Sequence, residues 1–289
     1  MSKPFVVVSC PIDTFSGYGA RSRDVVKALI NSEKYDVKIL SQRWGNTPYG
    51  FLKEDNEDEK KMIDAIIPSP LQRQPDVWIQ ISVPDEFQKI GKFNIGITAG
   101  IETDLCDVRF IQGCNNMDLI LGSSNHSLLA LKNSKYEQKN KAGQKVGIIE
   151  LTTPTDVLFE GIDLEKYFHI EPKDLPKTEL VESLDTIDEQ FCFLYVGHWL
   201  RGAIGEDRKN TGLMLKTFLE TFKDKKNPPA LIMKTMTGPA SIMDREEVFR
   251  KIAEVRRGVG GKLPNTYLIH GDIDDSDMNN LYNHPKVKA

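Results

Sequence analysis

Two doubly wound α/β units, each built on a parallel sheet and the second incomplete, are what the sequence predicts. Three observations carry that prediction. Short, continuous apolar runs alternate with stretches of helical periodicity. The alternation breaks in a stretch rich in proline and carboxylates, then starts again. Glycine-bearing loops follow several of the apolar runs, where parallel sheets place their sites.

Phe5-Val6-Val7-Val8 is apolar at every position, the signature of a strand buried on both faces. Beyond the loop through Gly17 and Gly19, Val25, Val26, Leu29 and Ile30 share one helical face. Further strands are expected at Val37–Leu40, Val77–Ile81, Ile95–Thr98 and Leu119–Leu121. A helix begins near Asn125, and strand character resumes from Gly147 to Leu151. Pro172, Pro176 and the surrounding acids place a linker at 173–190, making 1–172 the first domain and 191–289 part of a second.

Phe191–Gly197 opens that second unit. Leu215, Phe218, Leu219 and Phe222 follow at i, i+3, i+4, i+7. Ala230–Met233 reads as a strand, and Asp244 with Glu247 as a capping-box-like start for a helix carrying Val248, Ile252 and Val255. Tyr267–Ile269 is another strand and Ser276–Tyr282 a short helix. About three strands against a usual ~5–6 is why the second unit reads as incomplete.

Composition removes several classes of function. The 289 residues are 39% hydrophobic and 28% charged, too apolar for a disordered chain. A net charge of −4 offers no overall positive field to nucleic acid or an anionic membrane. No run approaches the ~18 apolar residues of a membrane span, and the apolar run near Met1 is too short for a signal peptide. Cys10, Cys106, Cys114 and Cys192 lack C-x-x-C spacing and read as reduced thiols, which implies a cytoplasmic location.

The loop Ser16-Gly17-Tyr18-Gly19-Ala20-Arg21-Ser22 lies between a strand and a helix. There, glycines admit a phosphate to backbone N–H groups, or simply allow a tight turn. It does not fit a dinucleotide-binding dehydrogenase. Six residues, Pro11 to Ser16, precede the first glycine, and Leu40 leads into Ser41-Gln42-Arg43 rather than an acid. An epimerase would need a Y-x-x-x-K pair in a suitable helix, and none is found.

Arg208 and Lys209 stand at a helix start, where cations oppose the dipole unless an anion binds beside them. Glu102, past a strand end, is a candidate for orienting an acceptor hydroxyl. Asp272-Ile273-Asp274 and Asp275-Ser276-Asp277 have D-x-D form but precede a helix, so capping explains them and no metal is expected. Ser123-Ser124-Asn125-His126 reads as a cap as well, and Trp44-Gly45 as either packing or a sugar contact.

Taken together these segments resemble the retaining glycosyltransferases of the GT-B fold (the family 4, or group 1, type), whose two Rossmann-like lobes face across a cleft. Gly17 and Gly19 match the family's first glycine loop. Leu158-Phe159-Glu160-Gly161-Ile162-Asp163 through Tyr167 is similar to its P-N-G-V-D-x-x-x-F segment, with Phe159-Glu160 replacing Pro-Asn. Leu194–His198 resembles F-V-G-R, and Asp207–Gly212 resembles E-x-R/K-K-G. Leu268–Ile273 resembles F-x-G-x-V, and Thr237-Gly238-Pro239 a G-x-G-P turn.

The resemblance implies sugar transfer from a UDP-, GDP- or ADP-sugar to a hydroxyl of a glycan, lipid or protein, with retained configuration and no obligatory metal. It implies that Gly17 and Gly19, Lys209 with Arg208, and His198 at the arginine position face the donor phosphates, and that Ile273 seats the base. A non-catalytic nucleotide- or sugar-binding module is the alternative on the same fold. The family's acidic E-x7-E segment would fall beyond Ala289.

Overall fold

Strand β1 (Phe5–Cys10), apolar except at Ser9, is buried at every position, because its alternate side chains enter two different cores. A computed structural model describes residues 3–45, 47–68, 70–238 and 240–289. The chain divides into units Met1–Gly161 and Ile162–Ala289.

In the first unit, α1 (Gly17–Asn31) returns the chain from β1 to β2 (Asp36–Ser41). Helix α2 (Glu57–Ala65) precedes β3 (Val77–Ile81), then β4 (Phe93–Thr98), α3 (Val108–Cys114), β5 (Leu119–Gly122) and α4 (Asn125–Asn133). An antiparallel hairpin, β6 (Tyr136–Lys139) and β7 (Lys145–Ile149), interrupts before β8 (Thr155–Val157). The parallel sheet has the order β2-β1-β3-β4-β5-β8. Val6, Val8 and Cys10 face α1 and α2, with Val26 and Met62 in that core. Phe5 and Val7 face the other side with Trp78, Ile111 and Leu131.

The strand character expected from Gly147 to Leu151 falls on β7, which pairs with β6 in a separate two-stranded sheet rather than joining the parallel one. Val146 and Ile148 are exposed on the hairpin, and the sixth place goes to β8. Sites in such sheets form where strand order reverses, here between the C-terminal ends of β1 and β3.

The second unit holds α5 (Glu179–Asp185), β9 (Cys192–Val196), α6 (Thr211–Phe222), β10 (Ala230–Lys234), α7 (Ile242–Val259), β11 (Thr266–Ile269) and α8 (Asp275–Asn283). Its parallel sheet runs β11-β10-β9. Val287 bridges Cys192, and Leu194 N–H donates to the Ala289 carbonyl at 2.7 Å, so the chain's last residues lie along the other edge of β9.

The segment 173–190 differs from the expected linker. Thr178 caps α5, whose Val181 and Leu184 are buried, and the division falls earlier, at Gly161. Two apolar residues three apart are too few for periodicity to reveal so short a helix. Helix α7 starts earlier than expected: Ser241 is its N-cap, accepting from Asp244 N–H at 3.1 Å. All four cysteines are free and buried. Among the described residues no helix is long and apolar enough to cross a membrane.

Gly113 in α3 is demanded by packing. A Cβ there would sit 1.7 Å from the Pro84 carbonyl oxygen, which is backbone and cannot move aside cheaply. Gly113→Ala is expected to destabilise the first unit by about 3 kcal/mol, the upper range for overpacking. Chemical denaturation followed by circular dichroism checks this.

Candidate functional site

The C-terminal edge of the β11-β10-β9 sheet gathers the charged groups of the second unit. Strand β10 reads Ala-Leu-Ile-Met-Lys: four buried apolar residues, then Lys234 where the strand leaves the core. Parallel pairing sets Lys234 beside Val196 of β9 and Ile269 of β11, so the residues just past those strands, His198 and His270, share its edge. Gly197 N–H donates to the Lys234 carbonyl at 3.0 Å.

The Lys234 ammonium is half-buried, yet it makes no hydrogen bond or ion pair among the described residues. Burial pushes its pKa down, and the nearby Asp272 only partly opposes this. A desolvated cation without a protein partner is costly, and an anionic ligand relieves that cost.

His198 shares this field. Partial burial lowers its pKa from 6.5, with Lys234 and Lys209 adding repulsion against the pull of Asp272 and Asp244. A folded-state pKa below the unfolded value means that the unfolded chain takes up the proton first as pH falls. Stability from neutral His198 is thus present above pH 6.5 and lost below it. His198→Gln should show a smaller drop in melting temperature between pH 7.5 and pH 5.5 than the unaltered chain. Parallel thermal scans measure the difference.

Two turns on this edge are held by one carboxylate. Asp244, with its side chain 7% exposed, accepts from Thr237 N–H at 3.1 Å, from the Thr237 hydroxyl, and from His270 Nε2 at 2.7 Å. The loops after β10 and β11 are thereby fixed to the first turn of α7. Of the expected Thr237-Gly238-Pro239 turn, Pro239 lies outside the described residues.

The start of α6 differs from the expected cation-lined anion site. Asp207 is buried there, and its Oδ1 accepts from Thr211 N–H at 3.2 Å; Oδ2 has no partner among the described residues. A carboxylate already occupies the helix's positive end. Asn210 makes the turn in the left-handed region, at φ 51°, which asparagine tolerates better than most residues. Arg208 and Lys209 point outward, and Lys209 reaches the shared edge through its field on His198. Ile273 packs its side chain on the core around Leu281.

Three of the four D-x-D acids, Asp274, Asp275 and Asp277, are occupied by protein donors. Asp274 caps α8 through Asp277 N–H at 2.7 Å, and Asp275 holds Lys166 at 2.8 Å and Tyr167 at 3.1 Å.

In the first unit, Gly17 and Gly19 play different parts. A Cβ on Gly19 would meet the Thr14 carbonyl at 2.3 Å, so its glycine serves packing; on Gly17 nothing lies within 4 Å, and the backbone there stays approachable. Between them, Tyr18 donates or accepts with Thr98 Oγ1 at 3.1 Å and stacks on Trp44, centroids 4.2 Å apart. Glu102 is exposed in the loop after β4, near enough with Glu160 to add to the upward shift that burial imposes on Tyr18. Ser124 caps α4 in a reciprocal box with Ser127.

Sequence reading missed Lys234, the Asp244–His270 pair and the Tyr18–Trp44 stack. A lysine ending a buried strand was the available signal for the first.

No protein-family model and no curated protein sequence matches the chain. Among solved structures, OtsA in its apo form is similar with a TM-score of 0.53 at 13% identity, over 96% of this chain and 76% of that one. A trehalose-6-phosphate protein from E. coli bound with UDP-2-fluoro glucose gives 0.50 at 13%, over 95% and 75%. The N-terminal domain of Candida albicans trehalose-6-phosphate phosphatase gives 0.50 at 11%, over 98% and 77%. The α/β architecture, with a six-stranded parallel sheet and a second parallel sheet, is the GT-B fold of two Rossmann-like domains.

Proposed function

We propose that the protein is a glycosyltransferase that moves a sugar from a nucleotide-sugar donor to a hydroxyl acceptor. The observation that carries this reading is Lys234: a half-buried ammonium without a partner among the described residues, on a sheet edge shared with His198 and Lys209. Its support from likeness is the fold, together with the UDP-2-fluoro glucose bound by one protein that shares it.

In the reaction, the bond from the anomeric carbon to the phosphate oxygen breaks while the acceptor oxygen bonds to that carbon. The departing nucleoside diphosphate gains negative charge, and the acceptor hydroxyl loses its proton to a phosphate oxygen on the same face of the sugar. That geometry retains configuration. Fixed cations beside the leaving group stabilise the charge as it develops. Lys234 and Lys209 supply it without a metal, and His198 gains a proton more readily once the anion binds. Ile273 offers backbone groups to the base.

Lys209→Ala is expected to weaken UDP binding about tenfold, the lower end for a charge-assisted contact of ~1.5–3 kcal/mol. Isothermal calorimetry with UDP, GDP and ADP measures it and ranks the bases. Unchanged affinity for all three would remove Lys209 from the site.

A further inference from the structure

The sheet of the first unit carries polar residues where burial calls for apolar ones. Ser9 in β1, Gln80 in β3 and Ser82 just beyond it alternate onto the face of Phe5, Val7 and Trp78, and all three are buried. On that face α4 packs over β5 and β8, and α3 over the Pro84–Glu86 turn. Over β2, β1 and β3 lies instead a cavity of about 760 Å³.

Its floor is only partly satisfied. Gln80 Nε2 donates to the Glu86 carbonyl at 2.8 Å, and its Oε1 accepts from Gln88 N–H at 2.9 Å. Ser9, 2% exposed, accepts from Gln42 Nε2 at 3.1 Å, but its own proton has no acceptor among the described residues. The Arg43 guanidinium at the rim has no hydrogen bond, ion pair or ring contact there either. Two indoles, Trp44 and Trp78, complete the lining, and Trp44 is braced by its stack on Tyr18.

We propose that this cavity binds a neutral saccharide. The Trp44 indole matches the apolar C–H face of a pyranose over a floor backed by the buried Trp78, while Ser9, Gln42 and Arg43 provide the donors, and Gln42 and Glu86 the acceptors, that vicinal hydroxyls require. The volume falls in the ordinary range for small-molecule sites, ~300–1,000 Å³. Charge selects within sugars. One guanidinium stands against the carboxylates of Asp85 and Glu86, so the lining is net negative and disfavours phosphorylated ligands. That the saccharide is the acceptor rests on the glycosyltransferase reading; that it binds here does not.

The chain has three tryptophans, two in this cavity and Trp199 beside His198 in the second unit. Spectra of the ¹⁵N-labelled indole N–H groups, assigned with Trp44→Phe, therefore report both regions at once. Maltose, cellobiose, lactose and sucrose are titrated separately, with glucose 6-phosphate as the anionic comparison. At least one neutral disaccharide should move the Trp44 and Trp78 signals at millimolar concentration and leave Trp199 in place. Ser9→Ala and Arg43→Ala should each weaken that response at least threefold, with an unaltered urea transition of the first unit confirming an intact fold. Silence of Trp44 and Trp78 towards all four disaccharides, a stronger response to glucose 6-phosphate, or unchanged affinity in both variants overturns the proposal. UDP is expected to move Trp199; its failure would count against the donor site and leave the saccharide cavity standing.

Discussion

Lys234→Ala is expected to weaken UDP binding by roughly ten- to a hundredfold. The figure comes from ~1.5–3 kcal/mol for a hydrogen bond to a charged group, at ~1.4 kcal/mol per tenfold. Its effect should exceed that of Lys209→Ala because the two cations differ in solvation. Lys209 is exposed, so water and salt screen it; Lys234 is half-buried at the end of an apolar strand, where the same charge acts through a lower dielectric. The unliganded protein should move the opposite way. Removing a desolvated ammonium that has no partner relieves a cost, so Lys234→Ala should melt no lower than the unaltered chain. Calorimetry with UDP and a thermal scan of the same sample separate the two effects. A variant that bound UDP normally and melted far lower would mark Lys234 as structural.

Asp244→Ala should destabilise the second unit by about 3 kcal/mol. Three donors, from Thr237 N–H, the Thr237 hydroxyl and His270 Nε2, would lose one shared acceptor in a site 7% exposed. An unmet buried donor costs ~1–3 kcal/mol, and water entering the gap recovers part of the total. Burial raises the Asp244 pKa, but the bonds from Thr237 and His270 together outweigh it and leave the carboxyl below its ordinary 3.8. The sign follows: the unfolded carboxyl protonates first, so this stabilisation is complete above about pH 4 and fades as pH falls through the lower folded value. The stability gap between the unaltered chain and Asp244→Ala should therefore narrow in acid. Urea titrations at pH 7 and pH 3 measure it.

The strands were the most legible part of the fold. Runs such as Phe5–Val8 and Ala230–Met233 are apolar throughout because both faces of each sheet are covered, and that requirement is written in consecutive residues. Elements lacking such a run escaped. β8 is three residues long, and α5 buries only Val181 and Leu184. Helix α7 was placed by Asp244 and Glu247, whereas Ser241 caps it, because the side chain of Asp244 is spent on tertiary bonds to Thr237 and His270.

The site divides along the same line. His198, Lys209 and Ile273 stand in local motifs that the sequence displays. Lys234 does not, since its importance appears only once strand register sets it between Val196 and Ile269. Tyr18 and Trp44 meet across 26 positions of sequence, and no local pattern marks such a pair. Gly19 shows the converse. Its place in a glycine loop pointed to a ligand, and the close approach of Thr14 explains it by packing.

A crystal of the chain grown with UDP tests the central claim most directly. The diphosphate should lie on the C-terminal edge of the β11-β10-β9 sheet, with a phosphate oxygen within hydrogen-bonding distance of Lys234 Nζ and another facing His198. UDP bound elsewhere, with the Lys234 ammonium still unpartnered, would contradict the account.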